Sequence, residues 1–174
     1  MKIATLCGSN ASVSANHAIL KAVGKYFEEH QCINLNLCSL PFFTPDNQYG
    51  EHVPHEVLRM REVVADCDLL VISTPEYAHG IPGILKNGLE WLFCAETGKT
   101  PVGIIVGSAQ GEWARDQLIE VLTTMDFSVN LEQTLIIHGA RVKIDQDGNF
   151  LDSDTQKTFF EFLEALKQLM KQRF

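Results

Sequence analysis

Three short stretches hold the side chains of this 174-residue chain that could do chemistry. The first, Gly8-Ser9-Asn10-Ala11-Ser12-Val13-Ser14-Ala15-Asn16, sets hydroxyls or amides at Ser9, Asn10, Ser12, Ser14 and Asn16 and contains no Lys or Arg. It follows a strand-like run and opens a helix-like one. A helix N-terminus presents free backbone N–H groups and the positive end of the helix dipole, a setting suited to phosphate. Short hydroxyl side chains could reach the same oxygens, so recognition would rest on neutral donors. A polar loop ending in a serine N-cap would show the same pattern.

The second stretch, Ser73 to Trp91, reads S-T-P-E-Y-A-H-G-I-P-G-I-L-K-N-G-L-E-W. Leu69-Leu70-Val71-Ile72 leads into it as a buried strand, and Ile81, Leu85, Leu89 and Leu92 follow at helical spacing. Prolines and glycines stiffen the turn between them. Such a turn, at the carboxyl end of a buried strand, is where open α/β sheets take ligands. Pro75, Glu76, Tyr77, Ala78 and Gly80 are therefore expected to touch one. Tyr77 could lie against a planar ring or stand in solvent, and Glu76 fits a structural acceptor better than an acid–base catalyst.

The third stretch is Gly107-Ser108-Ala109-Gln110-Gly111-Glu112-Trp113. Its small residues let backbone approach a flat ligand edge, with Ser108, Gln110 and Gly111 as candidate contacts. Gln110 can both donate to and accept from a ring carbonyl or imide. Trp113 fits packing at a helix start or a subunit contact better than ring stacking.

Other chemistries find no support. No G-x-G-x-x-G follows a strand, and Gly98-Lys99-Thr100 imitates the end of a P-loop but precedes a strand. Gly107–Gly111 lacks the central serine of a nucleophile elbow. His52, His55 and His79 have no partners at metal spacing, so no metal is expected. A net charge of −8 without a basic run argues against nucleic acid and anionic membrane. No apolar run reaches the roughly 18 residues of a membrane span, and the N-terminal segment reads as a strand, not a signal peptide. Five scattered cysteines fit a reducing, cytoplasmic setting.

The elements alternate throughout. Strands are expected at Lys2–Cys7, Ile33–Cys38, Leu69–Ser73, Thr100–Gly107 and Glu132–His138. Helices are expected at Ser14–Glu28, Val57–Asp66, after Ile81, at Glu112–Met125, and at the C-terminal end with Ser153 or Asp154 as cap. Leu40–Gly50 reads as a surface loop and Asp145–Gly148 as a turn. Alternation implies a single α/β domain over residues 1–174, a three-layer sandwich whose five-stranded parallel sheet has helices on both faces. With strand two outside strand one the order is 2-1-3-4-5, and the three stretches meet near its switch point.

These stretches resemble the NADPH-dependent FMN reductase family, which has a flavodoxin-like fold. Gly8-Ser9, Ser14 and Asn16 match a first loop that usually reads G-S-x-R-x-x-S-x-N, with Ala11 standing where arginine is frequent. Thr74 to Trp91 is similar to T-P-E-Y-N-x-S-x-P-G-x-L-K-N-x-x-D-W, with Ala78 in place of asparagine. Leu40-Pro41-Phe42-Phe43, Asp147-Gly148 and the closing helix extend the likeness over nearly the whole chain. The resemblance implies FMN as cofactor and NADPH or NADH as electron donor. The acceptor would be a small molecule such as a flavin or quinone, with the flavin and no side chain carrying the chemistry. The phosphate would sit on Ser9, Ser12, Ser14 and Asn16, the ring between Pro75–Ala78 and Ser108–Gly111. A homodimer or homotetramer is implied, with Trp91-Leu92-Phe93 suited to an interface or to the core. A flavodoxin-type electron carrier and a flavin-fold protein without redox activity are the alternatives.

Overall fold

The structure, a computed structural model, describes residues 1–93 and 100–171; Cys94 and the Gly98-Lys99 pair lie outside the described residues. Parallel strands β1 (Lys2–Cys7), β2 (Gln31–Leu35), β3 (Leu69–Thr74), β4 (Val102–Ser108) and β5 (Thr134–His138) form one sheet in the expected order β2-β1-β3-β4-β5. Every residue of β3 is buried. Its alternate side chains feed opposite faces, which is why Leu69 to Ile72 are all apolar. Leu70 and Ile72 enter the core under α2 (His55–Asp66), α3 (Gly83–Leu92) and α4 (Glu112–Thr124). Leu69 and Val71 enter the core under α1 (Ala15–Tyr26) and α6 (Ser153–Lys171).

Several boundaries move for local reasons. β2 ends at Leu35 instead of Cys38 because the Asn36 side chain accepts the Cys38 N–H at 3.0 Å and turns Leu37–Ser39 into a 3₁₀ segment. The Leu40–Gly50 loop contains a 3₁₀ turn at Pro45–Asn47 and abuts another at Gly50–His52. β5 starts at Thr134, after a 3₁₀ turn that Asn130 and Gln133 close as a capping box. A short helix absent from the sequence reading, α5 (Ala140–Lys143), follows it. At α6 it is Asp152, not Ser153 or Asp154, that accepts the Thr155 N–H, at 2.9 Å.

Trp91 and Leu92 belong to the core and not to an interface: both are 0% exposed. Trp91 Nε1–H donates to the Pro41 carbonyl at 2.8 Å, and Phe43 packs edge-on against the ring at 5.1 Å. The Leu40–Phe43 stretch thus packs on α3, and of Trp91, Leu92 and Phe93 only Phe93 is exposed. Among the described residues no helix is long and apolar enough to cross a membrane.

Candidate functional site

The strand order brings the loops after β1, β3 and β4 together, and the segment after β5 joins them. They enclose a cleft of about 360 Å³, within the range of small-molecule sites. Of the expected contacts, Ser9, Ser14, Asn16, Pro75, Glu76, Tyr77 and Ser108 line it; Asn10, Ser12, Ala78, Gly80, Gln110 and Gly111 do not.

Ser14 is the N-cap of α1, its Oγ accepting the Asn16 N–H at 3.2 Å. The cap fixes the first turn of α1, whose remaining N–H groups have no intrahelical acceptor. Among the described residues nothing takes up the amides of Ser12, Val13 and Ser14 either. Ser9, 4% exposed, accepts the Ala11 N–H at 3.4 Å through Oγ. Its carbonyl accepts from His17 Nε2 at 2.9 Å, which places that proton on Nε2. The loop therefore braces itself while its amides stay open.

Asn16 departs from its expected role. It is 3% exposed and its amide is committed inward. Nδ2–H donates to the Gly107 carbonyl at 3.0 Å, while Oδ1 accepts the Gly107 N–H at 3.1 Å and the Ser73 hydroxyl at 2.9 Å. One side chain thus ties α1 to the ends of β3 and β4, under the cleft.

The loop after β3 is a tight hairpin. Tyr77 N–H donates to the Gly80 carbonyl at 3.0 Å and Gly80 N–H to the Tyr77 carbonyl at 3.1 Å. Ala78 and His79, at φ 50° and 57°, occupy the two left-handed positions of a type I′ turn. Glu76 Oε2 accepts the Ala114 N–H at 3.1 Å in the first turn of α4, where the helix dipole favours an anion. Gln117 reaches back to accept the Ile81 N–H at 2.7 Å through the space that Gly80 leaves open. Tyr77 is left 47% exposed at the rim. Beside it His79 stacks on Trp113, 5.6 Å between centroids and 20° between planes.

After β4, Ser108 and Ala109 face the cleft. The glycines of this loop are closely packed on the side a Cβ would take. A Cβ on Gly107 would lie 2.7 Å from Ile19 and 2.8 Å from the Asn16 Oδ1, and one on Gly111 would lie 2.8 Å from Ile136. Gly111 also has φ +155°. Gln110 lines a separate depression with Glu112, Trp113, Asp116 and His138.

The fourth wall, Gly139–Val142, was not foreseen. Its Arg141 is the only cationic side chain lining the cleft and takes part in no ion pair among the described residues. The available signal was positional: an arginine just past the carboxyl end of β5, the strand beside β4. Under the cleft, burial pushes the Cys7 thiol up to about 11, so it stays protonated and unreactive at neutral pH. Among the described residues no three His, Cys, Asp or Glu side chains gather as metal ligands.

The model of the NADPH-dependent FMN reductase family matches residues 1–141. An NADH-dependent flavin reductase subunit 2 from Lactobacillus johnsonii is 27% identical, over 98% of this chain and 100% of that protein. A 2-hydroxy-1,4-benzoquinone reductase from a Burkholderia species is 26% identical, over 99% and 98%. The solved structure of FerB, a flavoenzyme NAD(P)H:(acceptor) oxidoreductase from Paracoccus denitrificans, superposes with a TM-score of 0.80 at 23% identity, covering 98% of this chain and 97% of that one. The chain belongs to the NADPH-dependent FMN reductase family and is an FMN-dependent NAD(P)H oxidoreductase.

Proposed function

We propose that the cleft is the flavin site of an enzyme that passes electrons from NADPH or NADH to a quinone or free flavin. The observation that carries this reading is that Val13 and Ser14, whose amides have no acceptor among the described residues, line one cleft with Pro75, Tyr77, Ser108 and Ala109. The residues fit FMN. Donors without acceptors suit the phosphate, a proline and a half-exposed tyrosine suit a flat ring, and the lone carboxylate of the lining, Glu76, already accepts a backbone bond. Ser9, Ser14 and the neighbouring amides would hold the phosphate, and Pro75–Tyr77 with Ser108 and Ala109 the ring.

Bound FMN supplies hydride acceptance from the nicotinamide and electron delivery to the acceptor. The chain's contribution is placement. The N-cap fixes the donors, Asn16 locks α1 against the sheet ends, and the hairpin keeps water from one wall of the cleft. No side chain of the lining is poised to move a proton. Tyr77, with the His79–Trp113 stack beside it, offers a flat aromatic ledge to an aromatic acceptor. The flavin and benzoquinone reductase relatives support that acceptor class.

We further infer a cytoplasmic protein that works as a homodimer or homotetramer. The free cysteines Cys7, Cys32 and Cys38 support the first. A relative described as a subunit supports an assembly, and light scattering on the purified protein measures its size.

The test of function is anaerobic addition of NADPH, then NADH, to FMN-saturated protein, followed by a benzoquinone. Bleaching of the flavin absorbance by either nucleotide and its return with the quinone is the expected result. A flavin band that neither nucleotide bleaches would refute the reading.

A further inference from the structure

We propose that Arg141 supplies the positive charge for the cofactor's phosphate, from the segment after β5 and not from the first loop. This rests on the reading of the cleft as the FMN site and adds a residue to it. A phosphate monoester carries about −1.5 to −2 at neutral pH, and the chain's net charge of −8 opposes its approach. Neutral hydroxyls and amides satisfy its oxygens but leave that charge uncompensated. The first loop cannot compensate it, since Ala11 lines the cleft without a charge and the loop has no Lys or Arg.

Arg141 lines the same cleft as Ala11 and Ser14. It also shares with Val13, Ser14 and Ala15 the wall of the adjoining depression, which places it at the rim by the first turn of α1. Nothing competes for its guanidinium among the described ion pairs. The two nearest acidic residues along the chain are otherwise engaged: Asp145 accepts from Asp147 and Asn149, and Asp147 pairs with Lys21 at 3.9 Å. Its backbone is held firmly. Gly139 N–H donates to the Ser108 carbonyl at 2.8 Å, Val142 N–H to Gly139 at 3.0 Å and Ile144 N–H to Ala140 at 3.1 Å. A fixed backbone and a planar, always charged fork are what two-pronged phosphate recognition needs.

The nicotinamide donor also carries phosphates, so the test separates the two sources. Fluorescence-quenching titrations compare FMN with riboflavin on the wild-type chain, Arg141→Ala and Arg141→Lys, with KM for NADPH measured at saturating FMN. Arg141→Ala is expected to raise the Kd for FMN on the order of 10- to 100-fold, the worth of a charged hydrogen-bonded pair. The riboflavin Kd and the NADPH KM should stay within about twofold, and Arg141→Lys should fall between. Arg141 is exposed, so unchanged thermal melting is expected to show that the variants fold. An FMN Kd in Arg141→Ala within about twofold of wild type, or a loss confined to NADPH KM, would overturn the assignment while leaving the flavin site intact. A wild-type chain that binds neither flavin would remove the flavin site itself.

Discussion

The β1–α1 loop and the β3–α3 loop line the same cleft but satisfy their polar groups in opposite ways. In the first, Ser14 and Ser9 brace the backbone while the amides of Ser12, Val13 and Ser14 remain open. In the second, Tyr77 and Gly80 exchange both of their bonds, Glu76 is taken by Ala114, and Ile81 by Gln117. One end has unused hydrogen-bonding capacity and suits a charged group; the other is closed on itself and offers shape. A molecule with a phosphate at one end and a flat ring at the other matches that division.

The largest expected effect comes from the joint between the two regions. Asn16→Ala would leave the Gly107 N–H and carbonyl and the Ser73 hydroxyl without partners in a buried place, costing about 3 kcal/mol. Thermal melting should drop by about 6–12 °C for a domain of this size, and a drop under about 2 °C would show that the joint is not structural. At the open end, Ser14→Ala removes the N-cap, worth about 1 kcal/mol of stability. It should also weaken FMN roughly tenfold in a fluorescence titration, through one lost phosphate donor.

At the closed end the sign reverses. Ala78 holds a left-handed conformation that costs a non-glycine residue about 1–2 kcal/mol. Ala78→Gly should gain about 0.5–1 kcal/mol, visible as a higher urea midpoint. Because Ala78 lies off the cleft lining, riboflavin affinity should not change.

The smallest effect lies outside the cleft and serves as a control. The Tyr26 hydroxyl donates to Glu164 at 2.7 Å, joining α1 to α6. That bond and a second from Gln168 hold the Glu164 carboxyl below its ordinary range. A carboxylate with a lowered folded value adds stability above its unfolded pKa and loses it as pH falls through the folded one. The melting gap between wild type and Tyr26→Phe should therefore be full near neutrality and close below roughly pH 4.3. Flavin binding should be the same in both.

The fold was legible because its signals are periodic. The apolar run Leu69–Ile72 announced a strand covered on both faces, and Phe159, Phe162, Leu163, Leu166 and Met170 recur at helical spacing along the buried side of α6. What local pattern could not show was the direction of a polar side chain. Asn16 has the residue type of a phosphate ligand, but Gly107 and Ser73, distant in sequence, claim its amide. Nor does sequence show that Ile19 and Ile136 pack where Gly107 and Gly111 would carry a Cβ. Arg141 escaped notice for the converse reason: no motif surrounds it, and only the register of β5 beside β4 carries it to the cleft.

The most direct measurement is a map of backbone amide NMR shifts on titrating FMN into the chain. The expected result is saturable change concentrated at residues 9–16, 75–77, 107–109 and 139–142, largest at Ser12, Val13 and Ser14. Shifts clustered instead around the depression between Asn34 and Met60, or no saturable shift at all, would contradict a flavin held where the sheet reverses its order.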